Sequence, residues 1–381
     1  MKNKKGINKK KILIVIGPRP EVIKLAPLFL ELKKYKEFKT EILLTGQHRQ
    51  LVDQTMKAFD LRADYDLNVM KKNQTLEELS SKILLKFSDF LRKIKPDIVI
   101  AEGDTTTTVI CAICCYYQKI PFGHVEAGLR SYDKFQPFPE EINRKIADVV
   151  ADFYFAPTVL AKNNLLKEGL PKERIFVTGN TVIDSLHLLS RKKHNFKEKK
   201  LRSLSNKPIV LVTIHRRESF GKPLKEAFQA LKKLSNENVQ IVYPVHPNPN
   251  VKNLAYKMLS KHKNIILTKP LSYLDFINMM KKSYFILTDS GGVQEEAPTF
   301  RKPVLVLRNI TERPEGVKAG VSRVVGTDME KILKYSKLLI HDKNFYLKMC
   351  KKKNIYGDGR ASERIAKVIK KWLDSFPPII K

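Results

Sequence analysis

Short apolar runs alternate with helically spaced apolar positions along nearly the whole chain. In the first half, the runs at 12–16, 41–44, 97–101, 121–125, 152–155 and 175–177 have the length of strands buried on both faces of a sheet. Between two of them, Val22, Leu25, Ala26, Phe29 and Leu32 would form one apolar stripe on a helix. Strands that alternate with helices predict a parallel sheet with right-handed crossovers.

The alternation is interrupted once and then starts again. Residues 191–207 are polar and rich in lysine, which predicts a linker, and further strands are predicted at 209–214, 239–243, 265–267, 284–287 and 304–307. The sequence therefore predicts an α/β protein of two Rossmann-like, doubly wound parallel-sheet domains with a cleft between them. The first would cover residues 1–190 and the second 208–359, and a C-terminal helix at 360–381 would pack back on the first.

Composition agrees with two folded domains and narrows the class of partner. A chain of 381 residues exceeds one hydrophobic core, and its 43% hydrophobic residues can fill two. The formal net charge of +33 would allow a nucleic-acid partner. However, the lysines are spread along the chain, and no helix-turn-helix, zinc or RNP motif is present. We expect a lysine-rich surface that attracts an anionic substrate, and no nucleic-acid partner.

Cysteine usage and the absence of long apolar stretches predict a cytoplasmic protein without membrane insertion. Cys111 and Cys114 have the spacing of half a metal site, but no second pair completes it, so buried apolar cysteines and no metal are expected. Residues 1–11 contain six lysines and precede only a short apolar run, which is not the pattern of a signal peptide. No segment approaches the roughly 20 apolar residues that span a bilayer.

Polar and charged residues follow the carboxyl end of almost every predicted strand. Ligands of open parallel sheets bind at that edge. The sequence therefore predicts a functional site built from the residues at 17–21, 46–48, 103–104, 126, 179–180, 215–218, 246, 289–292 and 308.

One strand end has the features of an anion-binding turn. Ser290, Gly291 and Gly292 would open a helix whose free N–H groups suit a phosphate, and Glu295 and Glu296 could bind ribose hydroxyls. The alternative is a capped turn with Ser290 as N-cap. Because neither a G-x-G-x-x-G motif nor a P-loop is present, no nicotinamide cofactor is indicated.

Cations at the first predicted strand-to-helix turn suit a diphosphate. Arg19 lies in this turn and Lys24 one helical turn further on. An ordinary charge on a helix surface explains Lys24 almost as well.

Several carboxylates are predicted to converge, which would raise the pKa of one or more of them. Each also has a structural explanation. Asp104 could cap the next helix, Glu126 could pair with Arg130 or Arg144, and Glu140 with Glu141 could be first-turn acids of a helix. His215 lies beside Arg216 and Arg217, a basic setting suited to stabilising a departing phosphate.

Taken together, the motifs resemble the non-hydrolysing UDP-N-acetylglucosamine 2-epimerases in collinear order over about the whole chain. They are Gly-x-Arg-Pro-Glu-x-Ile-Lys at 17–24, Gly-Asp-Thr-Thr-Thr-Thr at 103–108, His-Val-Glu-Ala-Gly-Leu-Arg at 124–130, Pro-Glu-Glu-x-Asn-Arg at 139–144, Thr-x-His-Arg-Arg-Glu at 213–218, Tyr-Pro-Val-His at 243–246, Asp-Ser-Gly-Gly-x-Gln-Glu-Glu-Ala-Pro at 289–298, Thr-Glu-Arg-Pro-Glu at 311–315, Gly-Asp-Gly at 357–359 and Ala-Ser-Glu-Arg at 361–364.

The resemblance implies a GT-B-like fold, a homodimer, no added cofactor and a UDP-sugar substrate. It implies reversible epimerisation of UDP-N-acetylglucosamine to UDP-N-acetylmannosamine, through loss of UDP to a 2-acetamidoglucal and its re-addition, in the synthesis of cell-surface polysaccharide or glycan precursors. By motif, the catalytic set would be Asp104, Glu126, Glu140 and His215. The substrate-binding set would be Arg19, Lys24, Phe276, Ser290, Gly291, Gly292, Glu296 and Arg313.

Two positions depart from the family pattern. The resemblance implies allosteric activation by the substrate through Gln47, Gln50, Glu140, Arg216 and His246, but an arginine of that site is Asn73 here. Losing a bidentate phosphate contact should weaken the effect. The glutamine often found ahead of the uracil-contacting phenylalanine is Leu271; a backbone contact to uracil could survive this change, a side-chain contact could not.

Other classes of protein make different predictions. A glycosyltransferase on the same fold would need an acceptor, and a hydrolysing epimerase would release UDP and free N-acetylmannosamine irreversibly. A basic nucleic-acid-binding protein would bind DNA or RNA in a salt-dependent manner. A catalytically silent dimeric scaffold would leave the polar strand ends unexplained.

Overall fold

The computed structural model describes residues 9–46, 49–71, 73–216 and 219–375. The chain divides into two compact units, the first containing Met1–His187 with Tyr356–Lys381 and the second Leu188–Ile355. Each unit is built around one parallel sheet, and the predicted fold class of two Rossmann-like α/β domains is confirmed.

The first unit contains a seven-stranded parallel sheet in the order β3-β2-β1-β4-β5-β6-β7. Its strands are β1 Lys10–Ile16, β2 Phe38–Leu44, β3 Tyr65–Asp66, β4 Ile98–Glu102, β5 Phe122–Val125, β6 Phe153–Ala156 and β7 Ile175–Val177. Strands β1 and β4 are adjacent, so the strand order reverses there, and a doubly wound sheet binds ligands beside such a reversal. Strand β3, with two residues, has no counterpart in the sequence prediction.

The second unit repeats this plan with six parallel strands in the order β10-β9-β8-β11-β12-β13. They are β8 Ile209–Thr213, β9 Gln240–Pro244, β10 Ile265–Thr268, β11 Phe285–Thr288, β12 Val304–Val306 and β13 Ser322–Val324. Strand β13 was not predicted. The reversal of strand order lies between β8 and β11, whose carboxyl ends carry His215 and Asp289.

Helices connect the strands. They are α1 Arg19–Leu32, α2 Arg49–Ala58, α3 Leu76–Ile94, α4 Thr106–Tyr117, α5 Glu140–Val150, α6 Val159–Lys167, α7 Thr181–Leu189, α8 Lys222–Leu234, α9 Pro249–Leu259, α10 Tyr273–Lys282, α11 Gly291–Glu296, α12 Pro314–Ala319, α13 Met329–His341, α14 Lys343–Cys350 and α15 Ala361–Ser375. The apolar stripe predicted for α1 is buried, as an amphipathic helix on a sheet requires.

The last helix belongs to the first unit. Helix α15 packs against α1 and buries Ile365 and Ile369. Its first N–H groups, at Ala361 and Ser362, donate to the buried carboxylate of Asp184 at 3.2 and 2.8 Å. This carboxylate therefore caps α15 from α7, because the first turn of a helix has no internal acceptors.

Residues 191–207, the predicted linker, belong to the second unit. Phe196 and Leu201 from this segment are buried in the core that also contains Met279 and Ile286. The sequence did not predict this packing, because the two apolar residues are surrounded by lysines and other polar residues.

Two further sequence features can be compared with the structure. Cys111, Cys114 and Cys115 are buried and free, and burial raises the pKa of each thiol. Within the described ranges, no helix is both long and apolar enough to cross a membrane.

Candidate functional site

Glu126 occupies a constrained position just after β5. Its φ of 66° lies in the left-handed region, which is unusual for a non-glycine residue and is often found at functional sites. Its carboxylate accepts hydrogen bonds from Lys24 Nζ at 2.5 Å and from Asn180 Nδ2 at 2.8 Å. Its predicted alternative pairing with Arg130 or Arg144 is wrong, because Arg130 binds Asp148 and Glu168 whereas Arg144 binds Asp104 and Glu141.

The ammonium group of Lys24 joins two buried carboxylates. Besides Glu126, Lys24 Nζ lies 2.7 Å from Oε1 of Glu102, the last residue of β4. Burial raises the pKa of Glu102 well above its usual range, and Lys24 opposes this while Glu126 adds to it. The ordinary surface charge considered for Lys24 is wrong. Its role in binding a diphosphate stays a prediction.

Asp104 is held by the first turns of α5. The guanidinium of Arg144 pairs with its carboxylate, and Asn143 Nδ2 donates to its backbone carbonyl at 3.0 Å. Thr105, not Asp104, is the N-cap of α4, because Thr108 N–H donates to the Thr105 hydroxyl at 3.3 Å. The alternative explanation of Asp104 as a helix cap is therefore wrong.

Glu140 and Glu141 are both first-turn acids of α5, but they differ in their surroundings. Glu141 is fully buried and accepts the backbone N–H groups of Ser131 and Tyr132, each at 3.0 Å. In the described part of the chain, Oε2 of Glu140 is buried without a hydrogen-bond partner. Glu141 therefore stabilises the loop before α5, whereas the role of Glu140 stays a prediction.

Glycine at 103 brings the two strand ends close together. Gly103 has a φ of +78°, and a Cβ built there would lie 4.0 Å from Oε2 of Glu126. The structure thus gathers Asp104, Glu126 and the start of the helix that carries Glu140 at one edge of the first sheet. Glu102, Asn180 and Glu21 accompany them.

Glu21 is a fully buried carboxylic acid in the first turn of α1. It accepts hydrogen bonds from the Thr105 hydroxyl at 2.6 Å and from Gly17 N–H at 2.5 Å. Burial nevertheless raises the pKa of Glu21 to about 7, since desolvation outweighs these bonds and the Asp104 carboxylate adds to it. Gly17 is required here because a Cβ would lie 2.5 Å from the Thr107 hydroxyl oxygen.

In the second unit, a buried carboxylate organises the turn after β8. Asp289 is fully buried and accepts the backbone N–H groups of His215 and Arg216 at 2.7 and 2.8 Å. Its second oxygen lies 3.0 Å from His215 Nδ1. The rings of His215 and His246 stack with their centroids 5.7 Å apart. The pKa of His246 is lowered, mainly by its burial and also by the neighbouring His215.

The predicted anion-binding turn begins α11. Ser290 is its N-cap residue, as the alternative explanation proposed, but the Ser290 side chain makes no capping hydrogen bond. The Arg313 guanidinium pairs with Glu295, and a Cβ at Gly291 would lie 3.9 Å from an Arg313 nitrogen. The same Cβ would lie 3.7 Å from Oε2 of Glu312, so Gly291 faces both a guanidinium and a carboxylate.

A second acid in the same region is neutralised by arginines. Glu312 lies 3.2 Å from Arg308 and 3.7 Å from Arg216. Burial raises the pKa of Glu312, whereas the positive charges of Arg216, Arg308 and Arg313 lower it. The arginines have the larger effect together, so the net shift of the pKa is downward. Three arginines therefore surround this one carboxylate.

The remaining predicted residues occupy less informative positions. Arg19 begins α1 and is partly exposed, and Glu296 ends α11. Phe276 in α10 packs with Leu271 against the core of the second unit. Asn73 has a φ of 58°, which asparagine tolerates well. Gln47 lies outside the described residues, and Gln50 falls in α2.

Three comparisons with known proteins agree. The family model described as UDP-N-acetylglucosamine 2-epimerase matches residues 30–370. The UDP-N-acetylglucosamine 2-epimerase of Bacillus subtilis is 49% identical over 361 residues, 94% of each chain. That of Campylobacter jejuni is 48% identical, covering 94% of this chain and 97% of its own. Among solved structures, the UDP-GlcNAc 2-epimerase of Neisseria meningitidis bound to UDP-GlcNAc has a TM-score of 0.87 and 43% identity, covering 95% of this chain and 100% of its own.

The chain therefore belongs to the UDP-N-acetylglucosamine 2-epimerase family.

Glu21 should make the first unit less stable as the pH rises. Because this carboxyl keeps its proton to about pH 7 when folded but only to about its ordinary pKa of 4.5 when unfolded, the folded state binds more protons between these values. Glu21 alone should contribute roughly 3 kcal/mol to the fall in the free energy of unfolding across that window, and Glu21→Gln should remove this contribution and flatten the slope.

Urea unfolding at several pH values would measure this effect. The only tryptophan, Trp372, packs on Phe153 in the first unit, so its fluorescence reports that unit alone. Glu31→Gln, on the same helix but paired with Lys34 at the surface, is the control and should keep the wild-type slope. An unchanged slope in Glu21→Gln would contradict the assignment.

Proposed function

We propose that this protein interconverts UDP-N-acetylglucosamine and UDP-N-acetylmannosamine by epimerisation at C2. The observation that carries the proposal is the group of buried or partly buried carboxylates at the carboxyl edge of the first sheet, in a chain 43% identical to an enzyme solved with UDP-GlcNAc bound. The elimination mechanism and the role of each residue are part of this proposal.

The chemistry explains why several carboxylates are needed. The hydrogen on sugar C2 is not next to a carbonyl, so its direct removal would leave an unstabilised carbanion. If the C1–O bond to UDP breaks first, positive charge develops at C1 and acidifies that hydrogen. The C2–H electrons then form the C1=C2 double bond of a 2-acetamidoglucal, while a base takes the proton. Re-addition of UDP with protonation from the opposite face inverts C2.

Asp104, Glu126 and Glu140 are proposed to share these proton transfers. Inversion requires acid–base groups on both faces of the sugar ring, and the assignment of each carboxylate to a face stays open. Their surroundings suit different tasks, because Asp104 is paired with a guanidinium, Glu126 with an ammonium, and one Glu140 oxygen has no protein partner among the described residues.

The second unit is proposed to bind UDP. The N–H groups at Ser290, Gly291 and Gly292 would contact the diphosphate, with Arg313 beside them, and Glu296 and Phe276 would contact ribose and uracil. Protonated His215 would stabilise the departing UDP together with Arg19. The nearby Asp289 carboxylate supports this role, because its oxygen lies 3.0 Å from Nδ1 and orients the imidazole ring.

The assembly is proposed to be a homodimer formed through helices of the first unit. Helices α3, α4 and α5 are neighbours and expose apolar side chains, among them Leu85, Tyr116, Tyr117 and Val149. An apolar patch of this kind marks an interaction surface in a soluble protein. The free cysteines agree with a reducing cytoplasmic setting for the enzyme.

Proton NMR of the protein with UDP-N-acetylglucosamine in heavy water tests the reaction. UDP-N-acetylmannosamine carrying deuterium at C2 is expected. Accumulation of UDP with free N-acetylmannosamine would instead indicate a hydrolase. Unchanged substrate, shown to bind, would indicate a glycosyltransferase.

In the same assay, Asp104→Asn, Glu126→Gln and Glu140→Gln should each lower kcat by about 10²–10⁴-fold, the usual contribution of a general acid or base. Glu168→Gln, which alters an exposed partner of Arg130, is the control and should leave kcat near the wild-type value. Unchanged turnover in any of the three would remove that residue from the scheme.

Substrate activation should be weak or absent because Asn73 replaces a phosphate-binding arginine of the family. Initial rates plotted against substrate concentration should follow a hyperbola, and a strongly sigmoidal curve would contradict this. Asn73→Arg is the matched variant, since it adds the guanidinium that could restore activation.

Sedimentation velocity should show twice the chain mass for the wild-type protein. Val149→Lys places a charge on the proposed interface, where Val149 is 73% exposed in the single chain, and should give monomers. Val159→Lys changes an exposed valine of α6 instead and should stay dimeric. A monomeric wild type would overturn the proposed assembly.

A further inference from the structure

The last residue of β4 has no role in the scheme above, although it contacts a proposed catalytic group. Glu102 is 2% exposed, which leaves it too buried to touch a sugar directly. Its carboxyl group and that of Glu126 bind the same ammonium group of Lys24, at 2.7 and 2.5 Å, so the two carboxyls lie next to each other. Any effect of Glu102 on the reaction must therefore pass through these two neighbours.

Charge balance decides the protonation state of this cluster. Two carboxylates and one ammonium would carry a net negative charge in a region largely closed to water, which is costly. One added proton makes the cluster neutral. Two carboxyl groups that share one ammonium can hydrogen-bond to each other only if one of them keeps a proton, because two carboxylates offer only acceptors.

The surroundings favour Glu102 as the residue that keeps this proton. The charged groups that act on Glu102 are Lys24 and Glu21 from α1 and Glu126 from the end of β5. Glu126 receives two donors, from Lys24 and from Asn180. Asn180 Nδ2 favours the ionised form of Glu126, since an N–H group donates to a carboxylate more strongly than to a neutral acid. The Glu102 carboxyl, by contrast, accepts from Lys24 Nζ at 2.7 Å.

We propose that Glu102 is a positioning residue that donates its proton to the Glu126 carboxylate and so keeps Glu126 ionised and aligned for proton transfer at sugar C2. The catalytic part of this proposal depends on the epimerase function proposed above; the protonation of Glu102 does not.

Infrared spectroscopy tests the proton without reference to activity. A buried protonated carboxyl gives a carbonyl band distinct from that of carboxylates. At about pH 8, one unit above the Glu21 pKa of about 7, Glu21 is mostly ionised and the remaining band should belong to Glu102. The band should persist in Glu21→Gln and disappear in Glu102→Gln. Its absence from the wild type, or its survival in Glu102→Gln, would overturn the proposal.

Two substitutions of Glu102 with side chains of similar size distinguish a role in positioning Glu126 from a role in packing alone. Glu102→Gln retains a neutral N–H donor and Glu102→Met does not, while both leave Lys24 opposite Glu126 with no net charge. The Gln variant should keep kcat within about tenfold of the wild type. In the Met variant the acidic limb of the kcat/KM profile should move up by roughly one pH unit, since a hydrogen bond to a charged group shifts a titration by about that much.

Both variants must first show the wild-type Trp372 unfolding transition, so that loss of the fold is excluded. A Met variant with a wild-type pH profile, or a Gln variant as impaired as the Met variant, would overturn the positioning role. If the wild-type protein does not epimerise the substrate at all, the proposed function fails, whereas the infrared result still decides whether Glu102 holds the proton.

Discussion

The contact of Lys24 with two buried carboxylates is the interaction on which the first unit's site depends. A buried charge without a partner is costly, so each of the three side chains fixes the others. Lys24 comes from α1, Glu102 from the end of β4 and Glu126 from the turn after β5. The cluster therefore joins separate strand ends into one constellation, and the left-handed backbone of Glu126 is tolerated within it.

This constraint extends to the distant end of the chain. Asn180 donates through its side chain to Glu126, and its backbone N–H donates to the carbonyl of Tyr356 at 2.6 Å. The segment that follows Tyr356 leads into α15, which Asp184 caps. The segment that leads into the C-terminal helix thus holds Asn180 in place, and Asn180 in turn positions the Glu126 carboxylate.

In the second unit, the buried groups that position their neighbours are carboxylates, whereas in the first unit the positioning group is an ammonium. Buried Asp289 fixes the backbone of His215 and Arg216, and Glu312 is surrounded by arginines. In both units a buried group of opposite charge sets the position of the residue proposed to react. This arrangement supplies preorganised electrostatics, the largest single contribution in many enzymes.

The sequence predicted the two sheets because their buried strands are continuous apolar runs. It missed β3, which has only two residues, and β13, whose sequence Ser-Arg-Val is not an apolar run. It assigned 191–207 to a linker because two buried apolar residues are hidden among lysines.

At the site, the motifs identified Asp104, Glu126 and Glu140, but not the partners of Asp104 and Glu126. The tertiary pairing of Lys24 with Glu102 could not be read from spacing, since these residues are 78 positions apart. A glutamate that ends an apolar strand was the one available signal for Glu102. Asp289 lay within a recognised motif, yet its proximity to His215 depends on the pairing of β8 with β11.

Glu140 differs from its acidic neighbours in the partners of its carboxylate oxygens. Glu141 uses its oxygens on two backbone N–H groups, and Asp104 is paired with Arg144. Oε2 of Glu140, by comparison, is buried without a partner in the described residues. Such an atom costs about 1–3 kcal/mol when nothing binds it. A ligand group that donated a hydrogen bond to this oxygen would recover that free energy, which supports the role proposed for Glu140.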